Sequence, residues 1–220
     1  HRSISERFSD ALTRCRVVVM ATAGLPSPSL SKGEQTRQDI LQAAIVRFGR
    51  DGFRGTSVAD IARDANVSGT AAYAYFNNKK ALFLAALDED AAAAISEGMA
   101  IVFDESVDHR WRDGLLFSLV GSVSRHPLAR RVLANHEPDV LDRVVDLPAL
   151  AELRKAVAAR LSVEQSEGTV RPDIDAAVVG AGLVSIILSL LMTMTQLGEH
   201  APEDQATDVL AVFEAALTIR

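Results

Sequence analysis

Between Ser57 and Tyr75 the chain sets two short helical stretches around the tripeptide Asn66, Val67, Ser68, and that spacing leaves little choice of local fold. In TSVADIARDAN, Ser57 suits a helix N-cap with Asp60 three residues on, and Val58, Ile61, Ala62 and Ala65 recur at the spacing of one helix face. Asn66 tolerates the left-handed backbone of a tight reversal, Val67 can plug the corner, and Ser68 can cap a second helix over Gly69 to Tyr75. Two short helices joined by a turn of three or four residues make a helix-turn-helix. Upstream, from Thr36, residues Ile40, Leu41, Ala44, Ile45 and Phe48 line one face of a further helix, which Gly52 is suited to stop.

The second short helix has the composition expected of one that enters the major groove of DNA. Gly69, Thr70, Ala71 and Ala74 are small enough for close approach to the sugar-phosphate backbone, while Tyr73 and Tyr75, the only tyrosines in the chain, carry stiff hydroxyl donors. Asn77 or Asn78 then caps a helix whose first turn holds Lys79 and Lys80, so helix N–H groups and ammonium charges point to one place that suits a phosphate. The reading opposed to this makes Tyr73 and Phe76 core plugs and the lysines a solvated edge, and for Phe76 the core role is expected. Charge supports the polyanion. The net charge is −6, but residues 1–87 hold twelve Lys/Arg against seven Asp/Glu, a balance of +5, and residues 88–220 hold eleven against twenty-two, a balance of −11.

The stretch TRQDILQAAIVRFGRDGFRGTSVADIARDANVSGTAAYAYFNNKKALF resembles the DNA-binding domain of the TetR/AcrR family of bacterial transcriptional regulators. The family's skeleton is met without gaps by Ala44, Phe48, Gly52, Thr56, Ile61, Ala62, Val67, Tyr73, Tyr75, Phe76, Lys79 and Leu82. Where many members open the second helix with Lys/Arg and then Gly, this chain has Gly69 and Thr70, and Ala72 replaces a large aliphatic residue. Base readout is therefore expected to be sparse, with phosphate contacts and DNA shape carrying more of the recognition. The DNA-contacting set expected from the residues and the resemblance together is Thr56, Ser57, Ser68, Gly69, Thr70, Ala71, Tyr73, Tyr75, Asn78, Lys79 and Lys80.

The rest of the chain reads as helices punctuated by Pro and Gly, without the alternation that marks strands, so the fold expected is all-α. Residues 1–31, ending in GLPSPSLSKG, read as a flexible arm, residues 32–87 as the helix-turn-helix domain, and residues 88–220 as a larger helical domain. The resemblance implies that this larger domain binds a small effector and dimerises through its last two long helices, here Ala176–Gly198 and Pro202–Leu217. Ala176–Gly198 carries no charge and is long enough to cross a membrane, but its flanks are acidic and lack an aromatic belt, so a buried or partner-covered helix is expected instead. Along it, Ala177, Ala181, Ser185 and Ser189 form a small-residue stripe for a partner helix, and Val179, Leu183, Ile186, Leu190 and Met194 are expected to face inward. Phe103, Trp111, Phe117, Arg125 and Met192 are the expected effector-contacting residues, with His126 as a further source of polarity.

The function expected is a ligand-responsive repressor that binds a palindromic operator as a dimer and is released by a small molecule, with the repressor sign taken from the resemblance. A helical enzyme and a membrane-associated helical protein are the competing classes. The enzyme reading rests on His136, Glu137, Asp139 and Asp142 in NHEPDVLD, a polar cluster with no nucleophile or paired motif beside it. No cofactor and no metal are expected. The single Cys15 cannot form an internal disulfide, which suits a reducing cytoplasm.

Overall fold

The computed structural model describes residues 31–104, 111–201 and 204–219. The expected arm, including Cys15, and Pro202 lie outside the described residues, apart from Ser31 at the arm's end. The regular structure of the described residues is helical, and they contain no strand. In chain order the helices are α1 (Lys32–Gly55), α2 (Val58–Asp64), α3 (Gly69–Tyr75), α4 (Lys79–Val102), α5 (Trp111–Val123), α6 (Pro127–Leu133), α7 (Pro148–Ser166), α8 (Ala176–Leu197) and α9 (Gln205–Leu217). Short 3₁₀ segments at Pro138–Asp146 and Gly198–His200 join α6 to α7 and follow α8.

The helices begin where the local chemistry says they should. Ser31 caps α1 in a reciprocal box with Glu34, Ser57 accepts the Asp60 N–H at the start of α2, Ser68 accepts the Ala71 N–H at the start of α3, and Asn78 accepts the Ala81 N–H at the start of α4. Of the two asparagines, then, Asn78 is the cap. Asn66 takes the reversal between α2 and α3 with φ 55°, as expected of a residue that tolerates the left-handed region.

Gly52 does more than stop a helix. Its φ of 75° and ψ of 173° break the regular course of α1 three residues before its end. The positive φ favours glycine, and a Cβ built there would lie 2.4 Å from Arg131 Nη2 and 2.7 Å from Glu137 Oε1, so a larger residue would also have to push these two side-chain ends aside. The mostly aliphatic core of the first unit contains an aromatic cluster. Phe83 of α4 meets Phe48 and Phe53 edge-on at 5.0 and 5.3 Å between ring centroids. Helix α4 runs unbroken across residue 87, so its first turns complete the helix-turn-helix unit while later turns, including Ala91, Ile95 and Val102, are buried in the larger domain.

In the larger domain, α7 and α8 pack side by side, and α5 lies against α4. Leu183, Val184, Ile187, Leu190 and Leu191 form the buried face of α8. Ala177, Ser185 and Ser189 lie on its exposed side, as the small-residue stripe predicts. Ile186 is a correction. It was expected inward, yet it is 41% exposed, because at three residues from Leu183 and four from Leu190 it falls beyond the edge of the buried arc that Leu183, Ile187 and Leu190 define.

Candidate nucleic-acid interface and the pocket behind it

Helix α3 presents a polar and small outer face on an apolar anchor. Ala72 and Phe76 are buried, and Arg37 covers Phe76 at 5.3 Å from the ring centroid, so Phe76 has its expected core role. Ser68, Thr70, Ala74 and Tyr73 are exposed, and Tyr73 at 54% stands out furthest among the aromatic side chains of this unit. Tyr75 is 37% exposed, and its hydroxyl leans back toward the first turn of α1, where a Cβ on Gly33 would lie 3.7 Å away. Nothing lies within 4 Å of the Cβ position of Gly69, so the backbone at the start of α3 is open to close approach.

The remaining candidates divide by accessibility. Ser57, Asn78 and Lys80 are exposed, and Gly69 and Ala71 are half-buried. Lys79 is also half-buried, with its Nζ 4.5 Å over the Phe53 ring, a cation–π contact that holds the ammonium in one place. Thr56, also named in the DNA-contacting set, is buried and donates its Oγ1–H to the Gly52 carbonyl at 2.8 Å, which ties the irregular end of α1 together. Between α1 and α2, Arg47 grips Asp64 with two hydrogen bonds of 2.7 and 3.0 Å, and this pairing holds the Asp64 carboxyl below its ordinary pKa.

Helix α6 joins this unit to the larger domain. Gly49 of α1 allows it to lie flush, since a Cβ there would come within 2.7 Å of Pro127 Cβ. Just beyond α6, Glu137 Oε1 accepts the Phe53 N–H at 3.0 Å and the Arg131 Nε–H at 2.8 Å. Glu137 is thereby a structural acceptor at the junction. His136 and Asp139 beside it are exposed, and among the described residues no group of three or more His, Cys, Asp or Glu is placed to hold a metal ion.

The start of α6 is fixed from α4. Asp90 is buried and its Oδ2 accepts the N–H groups of Leu128 and Ala129 at 2.9 and 2.8 Å, acting as a cap supplied from another helix. Its Oδ1 meets His126 Nδ1 at 3.0 Å, while His126 Nε2 meets Glu97 at 3.3 Å. The hydrogen bond to Asp90 raises the His126 pKa above its ordinary value, burial offsets part of this, and Glu97 adds to it. Arg125 pairs with the same Glu97.

Behind α6 lies an apolar pocket of about 70 Å³ bounded by α4, α5, α6, α7, α8 and the 3₁₀ segment. Ala129, Val132 and Leu133 of α6 form part of its wall. None of the five residues expected to contact an effector lines it. Trp111 is fully buried and donates its Nε1–H to Glu164 at 2.8 Å, Phe103 is exposed, Arg125 is held at Glu97, and Phe117 and Met192 are half-buried elsewhere. Apart from Ser122 the wall is built of Leu, Val, Ile and Ala, which carry no sequence signal that separates a pocket from a plain core.

Comparison with known proteins agrees with this architecture. Residues 40–86 match the family profile described as bacterial regulatory proteins, tetR family. Among curated proteins none matches the chain. A solved TetR-family protein from Mesorhizobium loti superposes with a TM-score of 0.67 at 19% identity, covering 86% of this chain and 100% of that one. A TetR-family transcriptional regulator from Cytophaga hutchinsonii gives a TM-score of 0.66 at 21% identity over 88% of this chain and 100% of that one. SmeT, the repressor of the Stenotrophomonas maltophilia multidrug efflux pump SmeDEF, gives 0.62 at 17% over 86% and 93%, and SmeT has also been solved in complex with triclosan. The profile match covers the helix-turn-helix unit, and the solved structures extend the likeness, in fold, to the larger helical domain. Over residues 40–86 the chain is thus similar in sequence to TetR-family regulators, and beyond them the similarity is one of fold.

Proposed function

We propose that the chain is a ligand-responsive transcriptional repressor that binds a roughly palindromic operator as a homodimer and is released when a small molecule occupies the pocket behind α6. The observation that carries the ligand-responsive part is the double role of α6. Its inner side forms the pocket wall through Ala129, Val132 and Leu133, and its outer end holds the DNA-binding unit through Pro127, Arg131 and the Glu137 bond to Phe53. A molecule that moves α6 therefore moves the support of α1. In a dimer, such movement changes the separation of the two α3 helices, which must match successive major grooves about 34 Å apart.

The DNA contacts proposed are Ser57, Ser68, Gly69, Thr70, Ala71, Tyr73, Tyr75, Asn78, Lys79 and Lys80, with Thr56 contributing only through backbone. Tyr73 is assigned to the phosphate backbone and Tyr75 to the groove. The dimer contact proposed is the outer face of α8 together with α9. Val178 on α8 is 68% exposed and Val212 on α9 is 59% exposed, on helices whose outer faces are otherwise mostly small or apolar. Helix α8 is long and apolar enough to span a membrane by length and composition, and a partner subunit is the cover assigned to it here.

Selection of genomic fragments bound by the purified protein tests the reading. A small set of enriched fragments sharing an inverted repeat is expected. Retention of all fragments alike, abolished by moderate salt, would leave only non-specific polyanion binding and remove the regulatory reading.

A further inference from the structure

The α6 pocket is unusual in what it lacks. Leu87, Ile95, Leu150, Leu153, Ile187 and Leu191 are typical of its wall, Ser122 is the one polar side chain lining it, and no charged or aromatic side chain does so among the described residues. Ser122 is fully buried and already donates its hydroxyl to the Leu119 carbonyl at 2.9 Å, which leaves it only lone pairs to offer. Asp90, one residue before the lining residue Ala91, has both carboxylate oxygens occupied by His126 and by the N–H groups of α6.

We propose that the effector is a neutral, hydrocarbon-like molecule carrying at most one hydroxyl-type donor, a proposal that rests on the ligand-responsive reading above. A carboxylate or phosphate would enter the pocket with no donor to replace its water, and an ammonium would find neither a carboxylate nor an aromatic face. An aliphatic or small aromatic skeleton loses nothing by leaving water, and a single hydroxyl can donate to Ser122 Oγ. Size matters as well. The pocket's volume of about 70 Å³ is below the ~150 Å³ of a dry cavity that takes up benzene. An occupant of that size therefore presses on the walls unless it projects from the pocket's open side. One of those walls is α6, so ligand class and release mechanism have a common origin.

Thermal unfolding of the full chain with matched concentrations of benzene, hexan-1-ol, hexanoate and hexylammonium tests the proposal. Benzene and hexan-1-ol should raise the melting temperature, by about 2–4 °C once the probe exceeds its dissociation constant about fivefold, and the two ions should not. Filling the pocket by Ala94→Leu, or separately by Ala129→Leu, should abolish the rise. Should neither variant fold, methyl-resolved NMR of the wild-type chain decides, with benzene expected to shift Ile95 and Val184 methyls before those of α1. The proposal is overturned if hexanoate or hexylammonium stabilises as well as hexan-1-ol, if neither neutral probe binds, or if the shifted methyls lie elsewhere. None of these measurements involves DNA. Neutral probes that bind without changing operator affinity would therefore retire the regulatory reading and leave the ligand class standing.

Discussion

Single residues in this chain bear two demands at once, and Gly52 is the clearest. Its positive φ is one demand and the guanidinium of Arg131 against its Cα is the other. Gly52→Ala is expected to lower the unfolding free energy by about 2–4 kcal/mol, the sum of backbone strain and overpacking, as measured by urea denaturation. A variant as stable as wild type would show that Arg131 and Glu137 move aside freely, and the junction would lose its claim to rigidity. Lys79 is a second case. Its ammonium lies over Phe53, yet three N–H donors leave it able to meet a phosphate from the solvent side. Lys79→Ala should weaken binding to operator and random DNA alike and reduce the salt slope by about one unit per site, in titrations over a range of salt concentrations. Unchanged salt dependence in a normally folded variant would leave Lys79 as a packing cation only.

Among the elements, α6 is short and holds its place through groups supplied by others. Asp90 of α4 caps it, His126 bridges Asp90 and Glu97 just before its first turn, and Arg125 shares Glu97. With its pKa raised in the folded state above the unfolded value of about 6.5, His126 contributes its full stabilisation below that value and loses it as pH rises through the folded pKa. Urea midpoints of the wild type should therefore decline from about pH 6.5 upward, and His126→Gln should flatten that decline. A slope equal in both proteins would assign the pH dependence to other groups. His126 and Asp90 were invisible as a pair in the sequence because 36 positions separate them, and no periodicity connects a residue before a short helix to the middle of a long one.

At the scale of the whole molecule, the outer face of α8 and α9 has no intramolecular cover among the described residues. Exposed Val178, Ile186 and Val212 beside a stripe of Ala and Ser are suited to a second copy of the same two helices. Sedimentation at micromolar concentration is expected to give twice the 23.6 kDa chain mass, and Val178→Glu combined with Ile186→Glu should shift it toward the single chain. A wild-type chain that sediments as a monomer would take away the symmetry on which recognition of a palindromic operator depends.

What the sequence determined by itself is local or periodic. The caps at Ser57 and Ser68, the left-handed Asn66, the buried Phe76 and the all-α class follow from interactions spanning a few residues, and these are written in neighbouring letters, whereas the choice of Asn78 over Asn77 as a cap was left to the structure. The stripe of α8 was legible for the same reason, and Ile186 was misplaced because a mostly apolar helix has little contrast with which to mark the edge of its buried face. Only tertiary structure decided the rest. Glu137 reaches an N–H 84 positions away, Thr56 turns inward to Gly52, and the pocket forms where five helices and a 3₁₀ segment fail to fill space completely with Leu, Val, Ile and Ala. Space left between elements depends on how far apart they settle, a distance set by all their contacts together and by no single stretch of the chain.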